Sequence, residues 1–309
     1  MNLEIHPDAL VTNQAERAGK TPEESRILKG KDYKLPVLTH YREGAWNEEF
    51  FFVQIAQPRF GKTAQPEESC NEEKRQIAEL CQAVNRMIPK PRFIVVCGDF
   101  TYKKTGEKNH FLQTEAFKVA FNDLEGDHHV ICVCGQNEMG ENPNSGTIES
   151  YRQNFGDDWF SFWVEGIQFV VINSQYYRFE DQVNELKSEQ HDWLESLFFQ
   201  AQINPPQQII MLQSLPWFCS FLDEADNTQN VDSSLRNSLV SKIKEAGINT
   251  VLATGERNAV GKDGSLEMIL TSPLSCEAGN FRILKVLKDK VLHKTFSLSE
   301  PPKDLTSIF

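Results

Sequence analysis

Five apolar residues in succession, Phe93 to Cys97, follow Pro91-Arg92 and end on Gly98-Asp99. An unbroken, β-branched run of this length predicts a strand buried on both faces. Such strands lie in the middle of layered α/β domains, and ligands bind at their C-terminal ends. The pattern recurs along the chain. Phe50 to Ala56 leads into Gln57-Pro-Arg-Phe-Gly61, and Val130 to Cys134 into Gly135-Gln-Asn-Glu138. Ile209 to Leu212 leads into Gln213-Ser-Leu-Pro216, and Thr250 to Ala253 into Thr254-Gly-Glu-Arg257. Apolar residues spaced at three and four predict helices between these strands, over 70–87, from the end of the 101–110 loop to about 124, over 190–202 and over 232–246. A long Asn/Gly/Ser/Pro-containing loop is expected after Glu138. Trp159 to Val164, then Gly166, then Ile167 to Ile172 reads as a β-hairpin that closes on Asn173-Ser-Gln175. Short strands at 266–271, 281–287 and 291–297 give an antiparallel finish. Together these predict two mixed sheets facing each other with helices outside, and strand lips at 57, 99, 135, 173, 213 and 255 gathered at one end.

Before the first strand the pattern is different. Residues 1–46 are polar with few apolar anchors, and predict an extended arm that drapes over the domain or engages a partner, with few contacts to its own domain. The domain itself is expected over 47–298, with a C-terminal tail at 299–309. A formal charge of −12 over 309 residues argues against nucleic-acid binding, which needs a basic face, and against adsorption to an anionic membrane. No run approaches the length of a membrane span, and the start lacks a basic region followed by an apolar one, so neither membrane insertion nor secretion is expected. The seven cysteines mostly fall in apolar contexts. They read as buried residues of a reducing compartment such as the cytoplasm. Cys132-Val-Cys134 has no second pair at zinc-like spacing and is not read as a metal site.

The succession of strand lips resembles the calcineurin-like metallophosphoesterase superfamily, and within it looks most like the calcineurin-like phosphoesterase domain-containing protein 1 branch. The likeness covers residues 46–298. It rests on Phe93-Ile-Val-Val-Cys-Gly-Asp99, Phe155-Gly-Asp-Asp-Trp-Phe-Ser-Phe-Trp-Val-Glu-Gly166, Val171-Ile-Asn-Ser-Gln175 and Arg257-Asn-Ala259 followed by Gly261. It implies an α/β fold of four layers, α-β-β-α, and a cytosolic phosphatase acting on a Ser/Thr kinase. It also implies two metals about 3–4 Å apart that clamp phosphate and activate a bridging water.

Held against that pattern, the chain departs from the family at most ligand positions. The first Asp and the ligand two places on fall at Gln57 and Arg59, while the shared Asp is present as Asp99. The Gly-Asn-His-Asp run reads Gly135-Gln136-Asn137-Glu138, so the general-acid imidazole is replaced by Asn137, which cannot titrate. The next His falls at Ser214, and the closing Gly-His-x-His shrinks to Gly255-Glu256, followed by Arg257. None of the seven histidines lies at a predicted lip. A guanidinium at 59 repels a cation and can donate a two-pronged hydrogen bond to Asp99, with Arg257 the alternative cation. These departures predict no bound metal or cofactor and no catalytic residue. The expected role is a catalytically degenerate binding or structural module, held by a protein partner or multiprotein assembly. Two alternatives stay open: a phosphoesterase with an altered or single-metal site, and an anion seated in the vestigial pocket through Arg59 and Arg257.

Overall fold

The computed structural model of the chain describes residues 25–63, 69–140, 143–179, 182–276 and 279–309. Two six-stranded mixed sheets face each other. In the first, β1 (Ile27–Leu28), β4 (His129–Val133), β3 (Phe93–Cys97) and β2 (Phe50–Ala56) run parallel, and β11 (Asn280–Val286) and β12 (Val291–Ser297) complete it antiparallel. The second has the order β5 (Phe160–Val164), β6 (Ile167–Val171), β7 (Ile209–Leu212), β8 (Thr250–Thr254), β10 (Leu266–Thr271), β9 (Ala259–Asp263).

The continuous apolar runs have a direct cause. Successive side chains point to opposite faces, so Phe93, Val95 and Cys97 enter the layer between the sheets while Ile94 and Val96 enter the outer layer under the helices. Phe52, Phe93, Phe162 and Phe169 meet in the inner layer at ring separations of 4.7–5.6 Å. The first sheet is covered on its outer face by α2 (Asn71–Arg86) and α3 (His110–Val119), and the second by α6 (Asn184–Ile203) and α7 (Ser233–Glu245). The result is the four-layer α-β-β-α sandwich.

Several features add to or differ from the sequence reading, among them strand 266–271, which pairs parallel with β8 where an antiparallel finish was expected. Residues 25–46, expected as part of a loosely attached arm, pack into the domain. Ile27 and Leu28 form an edge strand on β4, and a short turn of helix, α1 (His40–Glu43), follows buried Leu35 and Leu38. The few apolar residues of this stretch suffice because Ile27 lands in the outer core and Leu35 and Leu38 in the inner core. Residues 1–24 lie outside the described residues. The tail at 299–309 is docked as well: Leu305 is fully buried, and its N–H donates to the Ile88 carbonyl at 2.8 Å.

The polar loop expected after Glu138 contains two helices, α4 (Gln136–Met139) and α5 (Ser145–Phe155). Asn144 starts α5 by accepting from the N–H groups of Gly146 and Thr147, and its apolar face is Ile148, Tyr151 and Phe155. Finally, the segment after Gly255 forms an edge strand, β9, paired antiparallel to β10. Its alternating, half-exposed side chains lack the apolar run that marks the central strands. Among the described residues no helix is long and apolar enough to cross a membrane.

Candidate functional site

The C-terminal lips of β2, β3 and β4 continue to bond to one another beyond the strands. Gln57 N–H donates to the Cys97 carbonyl at 3.1 Å, Arg59 N–H to that of Asp99 at 3.0 Å, and Gly98 N–H to that of Val133 at 2.8 Å. This registers the side chains of 57 and 59 on Asp99. Gln57, Arg59 and Asp99 all take left-handed φ values of 44–48°. That conformation is unfavourable for non-glycine residues and persists where surrounding bonds over-determine it. Gly135 presses on the same turn: a Cβ there would stand 2.2 Å from the Asp99 backbone nitrogen, so no larger residue fits.

Asp99 is 6 % exposed and its carboxylate accepts three hydrogen bonds. Gln57 Nε2 (3.0 Å) and Arg59 Nη2 (3.1 Å) donate to Oδ2, and the backbone N–H of Asn137 donates to Oδ1 at 3.1 Å. The Arg59–Asp99 contact therefore forms, but as a single bond. Asn137 N–H donates to the other oxygen, which Arg59 does not reach. Asn137 contributes its backbone here, and its side chain turns away to the Thr101 carbonyl at 2.8 Å.

Glu138 ties the lips of β3 and β4 together. It is 3 % exposed, and its two oxygens accept from Phe100 N–H at 2.8 Å and Gly135 N–H at 2.9 Å. Burial, and then the neighbouring Asp99 charge, push its carboxyl up to about 8. Unfolded, the same group ionises near about 4.3. The folded form thus holds its proton through a window where the unfolded chain has lost it, and Glu138 stabilises the fold below that window. The contribution is lost as pH rises towards 8. Glu138→Gln is expected to flatten the fall in urea midpoint between about pH 5 and about pH 8, at the constant cost of one lost acceptor. An undiminished slope in the variant would assign the effect to another group.

Arg178, which the sequence reading missed, completes the cluster. It follows a 3₁₀ turn (Ser174–Tyr177) at the lip of β6 and donates to Gln136 Oε1 at 2.8 Å and to the Thr228 carbonyl. Burial lowers its guanidinium from the usual value against the opposing pull of Asp99. Its only sequence signal is its place three residues beyond the 173–175 lip. Ser214 lies against the Gly98 turn and accepts from Gln175 Nε2 at 2.9 Å. Glu256 and Arg257 are exposed, and neither makes a hydrogen bond or ion pair among the described residues; the structure does not join them to Asp99. His110 stands behind the cluster, with Nε2 3.2 Å from Thr105 Oγ1.

A dinuclear metal centre needs several anionic or imidazole ligands free to coordinate. The donor set around Asp99 does not fit one. One Asp99 oxygen is held by a guanidinium, both Glu138 oxygens are held by backbone N–H groups, and Arg59 and Arg178 add positive charge. Among the described residues no group of three or more His, Cys, Asp or Glu side chains is placed to hold a metal ion.

Two facing mixed sheets with the lips of β2, β3, β4, β6 and β7 gathered at one end define the calcineurin-like metallophosphoesterase fold. A yellow lupin purple acid phosphatase, PPD1, shares it at a TM-score of 0.56 and 9 % identity, covering 83 % of this chain and 52 % of that one. GAP50, described as the anchor in the inner membrane complex of Plasmodium, shares it at 0.55 and 14 % identity, covering 83 % and 87 %. No family model matches the chain. Sequence relatives carry the assignment further. Serine/threonine-protein phosphatase CPPED1 of Rattus norvegicus is 32 % identical over 282 residues, 87 % of this chain and 90 % of the relative. Its Danio rerio counterpart is 30 % identical over 291 residues, 90 % and 94 %. The chain belongs to the CPPED1 family of calcineurin-like phosphoesterases.

Proposed function

We propose that this chain is a binding module of the CPPED1 family whose phosphoesterase cleft no longer clamps metal. The observation that carries the reading is the Arg59–Asp99 ion pair at 3.1 Å, which occupies with internal charge the place where the family resemblance puts two cations. A carboxylate at a buried strand end needs compensation, and Arg59, Gln57 and Asn137 N–H supply it. Arg59 and Arg178 also leave the cleft with more cationic than anionic side chains once Glu138 is protonated, in a chain whose net charge is −12. That balance suits an anionic group of a partner held without hydrolysis. A partner protein is the expected occupant, in a reducing compartment such as the cytoplasm: all seven cysteines are free, as they are in such compartments.

The test is metal content and turnover. Full-length chain purified in Mn²⁺ and desalted is expected to retain well below one metal per chain and to hydrolyse a phosphoserine peptide no faster than buffer. Two retained metals with turnover would overturn the proposal. The names of the relatives favour a second reading, a phosphatase working with one metal. One retained metal, with turnover abolished by Asp99→Asn, would establish that reading instead.

A further inference from the structure

β6 carries the 173–175 lip at its C-terminal end, and Gln168 lies at its other end, facing an open cleft of about 800 Å³. The cleft lies between the last turns of α6, the β5–β6 hairpin and residues 40–46. This volume is in the range of ligand sites, which are mostly apolar with a few placed polar groups. Trp46, Trp163, Leu197 and Pro205 provide apolar surface here. No lining residue is Asp, Glu, Lys or Arg, although such residues make up 25 % of the chain. The seated part of a ligand is therefore uncharged.

The walls are fixed in advance. Arg92 bonds Glu43 on one side and Glu165 on the other, each at 2.8 Å. Gly166, at φ 74°, lets the backbone of Trp46 approach so closely that a Cβ would stand 2.4 Å from its nitrogen. The His40 ring meets Trp163 edge-on at 4.7 Å. A preformed site avoids the ordering cost that weakens binding.

Gln168 points to the ligand's chemistry. It is 8 % exposed, it lines the cleft, and its side-chain amide makes no hydrogen bond among the described residues. An amide offers a donor and an acceptor together, and a peptide unit offers the complement. Exposed apolar side chains flank the cleft: Ile203 in its lining is 61 % exposed, Phe199, one turn before it on α6, is 63 % exposed, and Tyr41, next to lining residue His40 in sequence, is 97 % exposed. An occupant longer than the cleft covers them, which favours a polypeptide over a small molecule. Polyproline II segments have no internal hydrogen bonds, present unpaired carbonyls, and dock their rings against aromatic-lined grooves at low entropic cost.

We propose that this cleft docks an uncharged, proline-rich segment of a partner protein in the polyproline II conformation. It supplies a surface for the binding role proposed above, and stands whichever way the metal test falls. The probe is decaproline titrated into the full chain, followed by indole fluorescence. A saturable shift below millimolar peptide is expected, with none from a Gly-Ser peptide of equal length. Ala201→Arg, which puts a charge on the α6 wall, and Gln168→Leu, which removes the amide, should each weaken binding about tenfold or more, which is about 1.4 kcal/mol. Ala201 also packs against the core under α6, so its variant is expected to lower the urea midpoint, and Gln168→Leu is the control for binding lost through unfolding. Absence of a saturable shift, or a shift unaltered in Ala201→Arg, would overturn the proposal. So would saturation by adenosine or maltose, lost in the variants, with no response to decaproline; the cleft would then be a small-ligand pocket.

Discussion

Replacing Asp158 with alanine is expected to destabilise the chain by about 3–5 kcal/mol, mostly from two buried donors left unpaired at about 1–3 kcal/mol each, with a smaller part from the ion pair to half-exposed Arg152. The Asp158 side chain is 1 % exposed and accepts from three elements at once. Arg152 Nε donates from α5 at 2.8 Å, Tyr176 OH from the 3₁₀ turn at 2.6 Å, and Asn173 Nδ2 from the lip of β6 at 2.8 Å. Alanine would leave the last two donors buried and without this acceptor. Burial and the Asp158 charge together hold the Tyr176 phenol protonated well above its usual range, so that donor persists at any working pH. The consequence reaches the Asp99 cluster, because this turn carries Gln175 to Ser214 and leads directly to Arg178. Urea denaturation at neutral pH gives the stability loss, and Asp158→Asn, which keeps the shape and one acceptor, should recover part of it. A loss below about 1 kcal/mol, the scale of exposed pairs, would mean that the turn is held by packing alone.

That same turn explains what the sequence could and could not disclose. Phe93 to Asp99 was legible because a strand buried on both faces must be apolar at every position, and its register then fixes where Asp99 emerges. Gln57 and Arg59 were legible with it, since the parallel ladder between β2 and β3 carries on past the strand ends. Arg178 was not, because its approach to Gln136 depends on a turn set by Asp158, a residue 20 positions away in a different element. Glu256 and Arg257 sit at an expected lip, yet the chain there turns into an edge strand and leaves both side chains exposed. α5 was hidden by its polar composition: its start depends on one capping side chain and its core face on three residues. The 25–46 stretch was hidden for the converse reason. Hydrophobic density is a local average, whereas burial of Ile27, Leu35 and Leu38 depends on where their neighbours happen to lie.

The ion pair at the lip of β3 is expected to be worth more than a surface pair and less than a fully buried one. Arg59 keeps 31 % side-chain exposure while Asp99 keeps 9 %, so solvent screens one partner and not the other. Exposed pairs give roughly 0–1 kcal/mol and removal of a buried partner costs roughly 3–5; Arg59→Ala should cost about 1–2 kcal/mol at neutral pH. The loss stays moderate because Gln57 Nε2 and Asn137 N–H still face the stranded carboxylate. Asp99→Asn alone should also destabilise, since its new NH₂ group confronts one of those donors. The informative quantity is the double variant. If Arg59 compensates the Asp99 charge, Arg59→Ala with Asp99→Asn should cost less than the two single changes summed, by about 1 kcal/mol, within the range for residues in one ion-pair network. High salt should shrink that coupling only in part, because the carboxylate is buried. Additivity within about 0.3 kcal/mol would make the contact incidental. Should Arg59→Ala instead take up Mn²⁺ and turn over a phosphoserine peptide, the guanidinium is a plug in a metal pocket that Asp99 and Glu138 still supply.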